Sequence, residues 1–109
     1  SPSILKKKKN IFVVRAKGNS MNKTLIGQEN IDDGDYILID AESKNPENGD
    51  CVLSIIDGAA NIKRFKKDQD RGLIMLLSES TSNYEPIYIH QDDVESYSVA
   101  GKVIGVLKT

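Results

Sequence analysis

The stretch that decides the fold is Cys51-Val52-Leu53-Ser54-Ile55-Ile56-Asp57-Gly58-Ala59-Ala60-Asn61-Ile62-Lys63-Arg64-Phe65. Its first six residues are largely apolar and β-branched, the character of a buried strand. Asp57-Gly58 then supplies a two-residue turn whose twist matches that of paired strands, a strong hairpin signal. The return strand is predicted through Asn61-Ile62-Lys63-Arg64-Phe65. Lys63 and Phe65, two residues apart, share one face of it, and Arg64 takes the other. Pattern alone leaves two orientations open. Either Lys63 points inward beside the aromatic ring, or Ile62 points inward and Lys63 outward, where lysines ordinarily sit. Lys66 and Lys67 approach the strand end and are expected in solvent.

Outward from this hairpin the same texture repeats. Upstream, Asn45-Pro46-Glu47-Asn48-Gly49-Asp50 is a dense cluster of turn residues. Before it, Tyr36-Ile37-Leu38-Ile39 follows an Asp33-Gly34 turn signal, and Ile11-Phe12-Val13-Val14 has the same strand character. Downstream, residues 72–77, 87–89 and 102–107 read as further short strands. Residues 21–30 are ambiguous, with a helical turn inside a loop as one reading. Short strands, closely spaced turns and no long amphipathic helix predict an all-β fold. Its strands should be mostly antiparallel and form a distorted barrel or sandwich.

A chain of 109 residues fits one domain, placed here at 11–109. Residues 1–10 read as a flexible tail or linker remnant, because Lys6 to Lys9 form a run of like charge that resists packing. The functional alternative for that run is a nucleic-acid arm. The 15 basic and 16 acidic side chains leave a formal charge of -1, without the basic excess of a domain that grips phosphates. No apolar run approaches the roughly 20 residues needed to cross a bilayer, and no secretory signal is visible. Cys51 is the single cysteine, so no internal disulfide can form. A reducing cytoplasm and a core position for Cys51 are expected. With one histidine and no metal-ligand spacing, neither a metal site nor another cofactor is expected.

Gly18-Asn19-Ser20-Met21 falls just after a strand, where the chain must turn sharply. Glycine permits such a turn and lets backbone N–H groups gather near the next side chain, as an oxyanion hole requires. A serine hydroxyl is a weak nucleophile until a neighbouring base takes its proton. His90 is a poor candidate for that base, since it lies among Gln91-Asp92-Asp93 at a turn and is expected on the surface. A lysine serves instead if its pKa falls from roughly 10.4 by about 3 pH units, a cost of about 4–5 kcal/mol. Lys63 in its inward orientation is the residue placed to bear that cost.

Taken in order, Gly18-Asn19-Ser20-Met21, Asp33-Gly34-Asp35, Asn48-Gly49-Asp50, Ile62-Lys63-Arg64-Phe65-Lys66 and Gly101-Lys102-Val103-Ile104-Gly105-Val106 resemble the C-terminal domain of LexA-like repressors. The segment from Leu77 to Ile87 also looks like the family's link between the lysine strand and the final strands. The resemblance runs from Phe12 to Lys108. It implies a catalytic dyad with Ser20 as nucleophile and neutral Lys63 as base, and the backbone amides of Asn19 and Ser20 as oxyanion donors. It also implies a homodimer that cuts its own chain upstream, with a RecA–single-stranded DNA filament as inducer. DNA would be read by an N-terminal helix-turn-helix domain. Two departures stand out. Residues 1–17 contain no small-residue–glycine pair, so the expectation is that the bond to be cut lies outside this fragment. Residues 24–30 also look longer than the matching stretch of typical repressors.

Other readings use the same residues differently. A UmuD-type polymerase accessory subunit shares the core motifs. A signal-peptidase relative pairs Ser-Met with Lys-Arg but would need a membrane anchor. A dimerisation module would carry Ser20 and Lys63 idle. Direct nucleic-acid binding through Lys63, Arg64, Lys66 and Lys67 would be strongly salt-dependent.

Overall fold

The computed structural model describes residues 10–109, the side chains of Gln91 and Val94 excepted. The predicted tail therefore lies outside the described residues, apart from Asn10, whose carbonyl accepts the Ala41 N–H at 2.8 Å. Seven strands follow in order: β1 (Ile11–Arg15), β2 (Tyr36–Asp40), β3 (Cys51–Ile56), β4 (Ala59–Asp68), β5 (Leu73–Leu77), β6 (Ile87–His90) and β7 (Tyr97–Leu107). A short 3-10 helix, Gln91–Ser96, joins β6 to β7. Residues 21–30 form turns around an isolated bridge between Ile26 and Glu29, not a helix. No helix among the described residues is long and apolar enough to cross a membrane.

The all-β, antiparallel expectation holds. The strands make one sheet in the order β1-β2-β7-β3-β4-β5-β6, and every pairing is antiparallel. The sheet stays open, with β1 and β6 at its edges. The deciding hairpin forms as read: Ile56 pairs with Ala59 across Asp57 and Gly58, both at positive φ (49° and 82°), as a tight primed turn requires. The long strand β7 shows what the sequence obscured. It begins at Tyr97, well before the predicted 102, because Ser98, Ala100 and Gly101 carry little strand propensity.

Strand β7 lies between β2 and β3 and pairs with both. Each pairing slips register once, between Leu38 and Ile39 and between Leu53 and Ser54. Such bulges bend a strand and increase its twist, so the sheet coils instead of lying flat. Gly101 sits where the backbones of β7 and β2 approach closely: a Cβ there would lie 2.5 Å from the Asp40 carbonyl oxygen.

Coiling lets one sheet bury both of its faces. Cys51 and Leu53 of β3 join Ile37, Ile39 and Val103 in one core, together with Met21 and Ile31 from the loop after β1. Val52, the residue between them, points the other way and packs with Phe65, Leu76 and Ile89. Burying one such aliphatic or aromatic side chain is worth about 1.5–3 kcal/mol. Met21, 3% exposed, ties the position next to Ser20 to this core.

Candidate active site

Ser20 lies in the long connection between β1 and β2, and this connection is fixed residue by residue. Ala16 N–H donates to the Asp35 carbonyl and Gly34 N–H to the Ala16 carbonyl, both at 2.8 Å. Gly18 adopts φ +78°, and its N–H donates to Asp33 Oδ1 at 2.7 Å. The chain then turns through Asn19 and Ser20, with Asn22 N–H reaching back to the Asn19 carbonyl and Thr24 N–H to the Met21 carbonyl. Met21 is 3% exposed and Thr24 1%. Ser20 is thus held at a half-buried point on a loop whose ends are tied to the core.

Lys63 comes from β4, paired across the hairpin with Val52. Lys63 and Phe65 are the two buried residues of β4, which settles the orientation that pattern had left open. The Lys63 ammonium lies 2.9 Å from Ser20 Oγ, and the residue is 8% exposed. Burial holds its pKa below the ordinary lysine value. The Cys51 thiol is itself pushed up to about 12 by burial, so it stays a neutral core residue. Tyr84 brings its ring centroid 5.9 Å from Lys63 Nζ, closing one side of the lysine.

Both side chains line one cleft of about 360 Å³, between the end of β1 and the start of β4. Val14, Met21, Ile31 and Leu53 give it apolar walls. β5 pairs with β4 only from Arg64 onward, so Ala60, Asn61 and Ile62 line the cleft with one backbone edge unpaired. Among the described residues, neither the Asn19 nor the Ser20 N–H has a hydrogen-bond partner. The arrangement can hold an extended segment of chain and place a carbonyl before Ser20 Oγ with two free donors close by. His90 is exposed on β6, 3.4 Å from Asp92, and does not line the cleft. Lys66 and Lys67 are exposed as expected, whereas Arg64 is drawn into the structure.

What the sequence reading missed is a strap, residues 78–84, laid across the serine loop. Ser80 Oγ donates to the Asn19 carbonyl. Asn22 and Thr81 exchange two hydrogen bonds of 2.9 Å. Lys23 N–H donates to the Glu79 carbonyl at 2.9 Å, and the Glu79 carboxylate accepts from both Thr24 Oγ1 and Arg64 Nε. The sequence marked this stretch only as a polar run, Ser78 to Asn83, that pattern assigns to a loop, and as part of the family-like segment from Leu77 to Ile87.

Comparison with known proteins gives a consistent picture. Residues 1–104 match the family model described as Peptidase S24-like. The LexA repressor of Carboxydothermus hydrogenoformans is 36% identical over 107 residues, 98% of this chain and 47% of the relative. That of Syntrophobacter fumaroxidans is 37% identical over 99 residues, 91% of this chain and 42% of the relative. That of Clostridium perfringens is 37% identical over 105 residues, 95% and 44%. The chain spans less than half the length of these relatives.

Proposed function

Because the chain belongs to the Peptidase S24-like family, we propose that it is the self-cleavage and dimerisation domain of a LexA-like repressor, with Ser20 as nucleophile and Lys63 as general base. The observation that carries this reading is the 2.9 Å contact between a buried lysine and a serine on the rim of an open cleft. A lysine serves as a base only when uncharged, and desolvation favours that form.

The chemistry follows from these positions. Neutral Lys63 takes the proton from Ser20 Oγ as the oxygen attacks the carbonyl of a peptide bond lying in the cleft. The carbonyl oxygen becomes an oxyanion, stabilised by the N–H groups of Asn19 and Ser20. Lys63 then returns its proton to the leaving amine, and the new N-terminus departs. Water, deprotonated by the same lysine, hydrolyses the acyl–serine ester and restores both side chains.

In this reading residues 11–109 form the peptidase and dimer unit, and residues 1–10 lead toward the segment that is cut. DNA is contacted by an N-terminal domain beyond these residues, a RecA filament induces cleavage, and the protein works in the cytoplasm. The repressor names of the relatives favour this over a polymerase subunit. A longer chain carrying the native upstream segment should cleave itself faster as pH rises, and Ser20→Ala or Lys63→Ala should each abolish cleavage. Wild-type rates in either variant would refute the dyad.

A further inference from the structure

The dyad joins two separate parts of the chain, a loop after β1 and a strand of the hairpin, so something must fix the distance between them. The hydrogen bond between Ser20 and Lys63 cannot do so alone, because the reaction itself remakes it. The residue after the base supplies the tie. Arg64 donates Nη1 to the Gly49 carbonyl at 2.9 Å, Nη2 to the Leu25 carbonyl at 3.0 Å and Nε to Glu79 Oε1 at 2.6 Å. The same Glu79 oxygen accepts from the hydroxyl of Thr24, a residue 1% exposed in the serine loop. Through its backbone carbonyl Glu79 also holds Lys23 N–H. A single residue of the strap thus grips the lysine strand on one side and the serine loop on the other.

We propose that Glu79 is the positioning residue of the Ser20–Lys63 pair, setting the spacing between serine loop and lysine strand by holding Thr24 and Arg64 on one carboxylate oxygen. This rests on the dyad proposed above. Glu79 touches neither reacting group; it acts through Arg64 and Thr24. The need for such a residue is geometric, since misplacing reacting groups by about 1 Å can cost around 100-fold in rate. The charge is well kept: burial alone would raise the carboxyl pKa, but the Thr24 and Arg64 hydrogen bonds and the guanidinium charge outweigh it and hold the group below the ordinary range.

The test is self-cleavage of the full-length protein at alkaline pH, read as a first-order rate, with folding followed by thermal melting on the same samples. Glu79→Ala should slow cleavage about 10- to 100-fold. Glu79→Gln, which keeps an acceptor oxygen between Thr24 and Arg64, should recover most of that loss, as a merely charge-dependent or remote role would not. Thr24→Val removes one arm at nearly constant volume and should also slow the reaction. It decides the matter if Glu79→Ala melts below the assay temperature. Wild-type rates in folded Glu79→Ala or in Thr24→Val, with Ser20→Ala and Lys63→Ala silent, would overturn the positioning role and leave the dyad standing. Cleavage by Ser20→Ala or Lys63→Ala would overturn both.

Discussion

Replacing Lys63 with methionine should make the domain more stable and catalytically dead. The buried aliphatic stem is retained in length and volume, so little packing is lost. What disappears is an ammonium group in a residue 8% exposed, whose burial depresses its pKa. Because the folded pKa lies below the unfolded value, near 10.5, the sign is opposite to that of an ion-paired lysine. Below the folded pKa both states carry the proton and the folded state bears the full desolvation penalty. Between the two pKa values the unfolded chain binds the proton and the folded one does not, so stability climbs with pH. Every pH unit separating them is worth about 1.4 kcal/mol. Against this stands the lost hydrogen bond to Ser20, which water can replace because Ser20 borders the open cleft. A net gain of about 0.5–2 kcal/mol at pH 7 is expected, the usual return when a functional compromise is removed. For a domain of 109 residues that is a rise in Tm of roughly 2–8 °C. Denaturant or thermal unfolding of both proteins from pH 6 to pH 10.5 measures it, and the advantage should shrink as pH rises. A Lys63→Met protein that is no more stable at pH 7, or whose advantage does not diminish toward pH 10, would refute a desolvated lysine.

Two other outcomes follow from named contacts. Tyr84 both shields Lys63 from water and offers it a ring face. At 5.9 Å the ring sits near the limit of a useful cation–π contact, worth about 0.5 kcal/mol, so shielding dominates. Tyr84→Ala should therefore move the pH–rate inflection to higher pH; an unchanged or lower inflection would contradict this. At the other end of the serine connection, Lys108 bonds to Asp32, to Asp35 and to both oxygens of Asn30. The Lys108 hydrogen bond lowers the pKa of the buried Asp35 carboxyl, and the Asp35 bond raises that of Lys108. Asp35 therefore contributes stability above its unfolded value of about 3.8, lost as pH falls through its lower folded value. Lys108 contributes below about 10.5, lost as pH rises through its higher folded value. Lys108→Ala should flatten both limbs of the stability profile, the acid limb only in part, since Asp32 and Thr109 N–H groups still bond Asp35.

The hairpin at 51–65 was legible because its signals are local. Alternating β-branched residues and an Asp-Gly turn specify two paired strands whatever the rest of the chain does. The serine turn was legible for the same reason: Gly18 takes the positive φ that the bend requires. The inward direction of Lys63 was not, because strand periodicity gives two faces without saying which is buried. That was decided when β7 inserted between β2 and β3 and its bulges coiled the sheet, burying β3 on both faces. Nor could spacing reveal Glu79, which lies 15 residues beyond Arg64 and 55 beyond Thr24. By itself the sequence therefore determined the all-β class, most of the strands and turns, and the two side chains proposed for the chemistry. The tertiary structure decided that they meet at 2.9 Å and what holds them there, because burial and long-range hydrogen bonds exist only once separate segments have packed together.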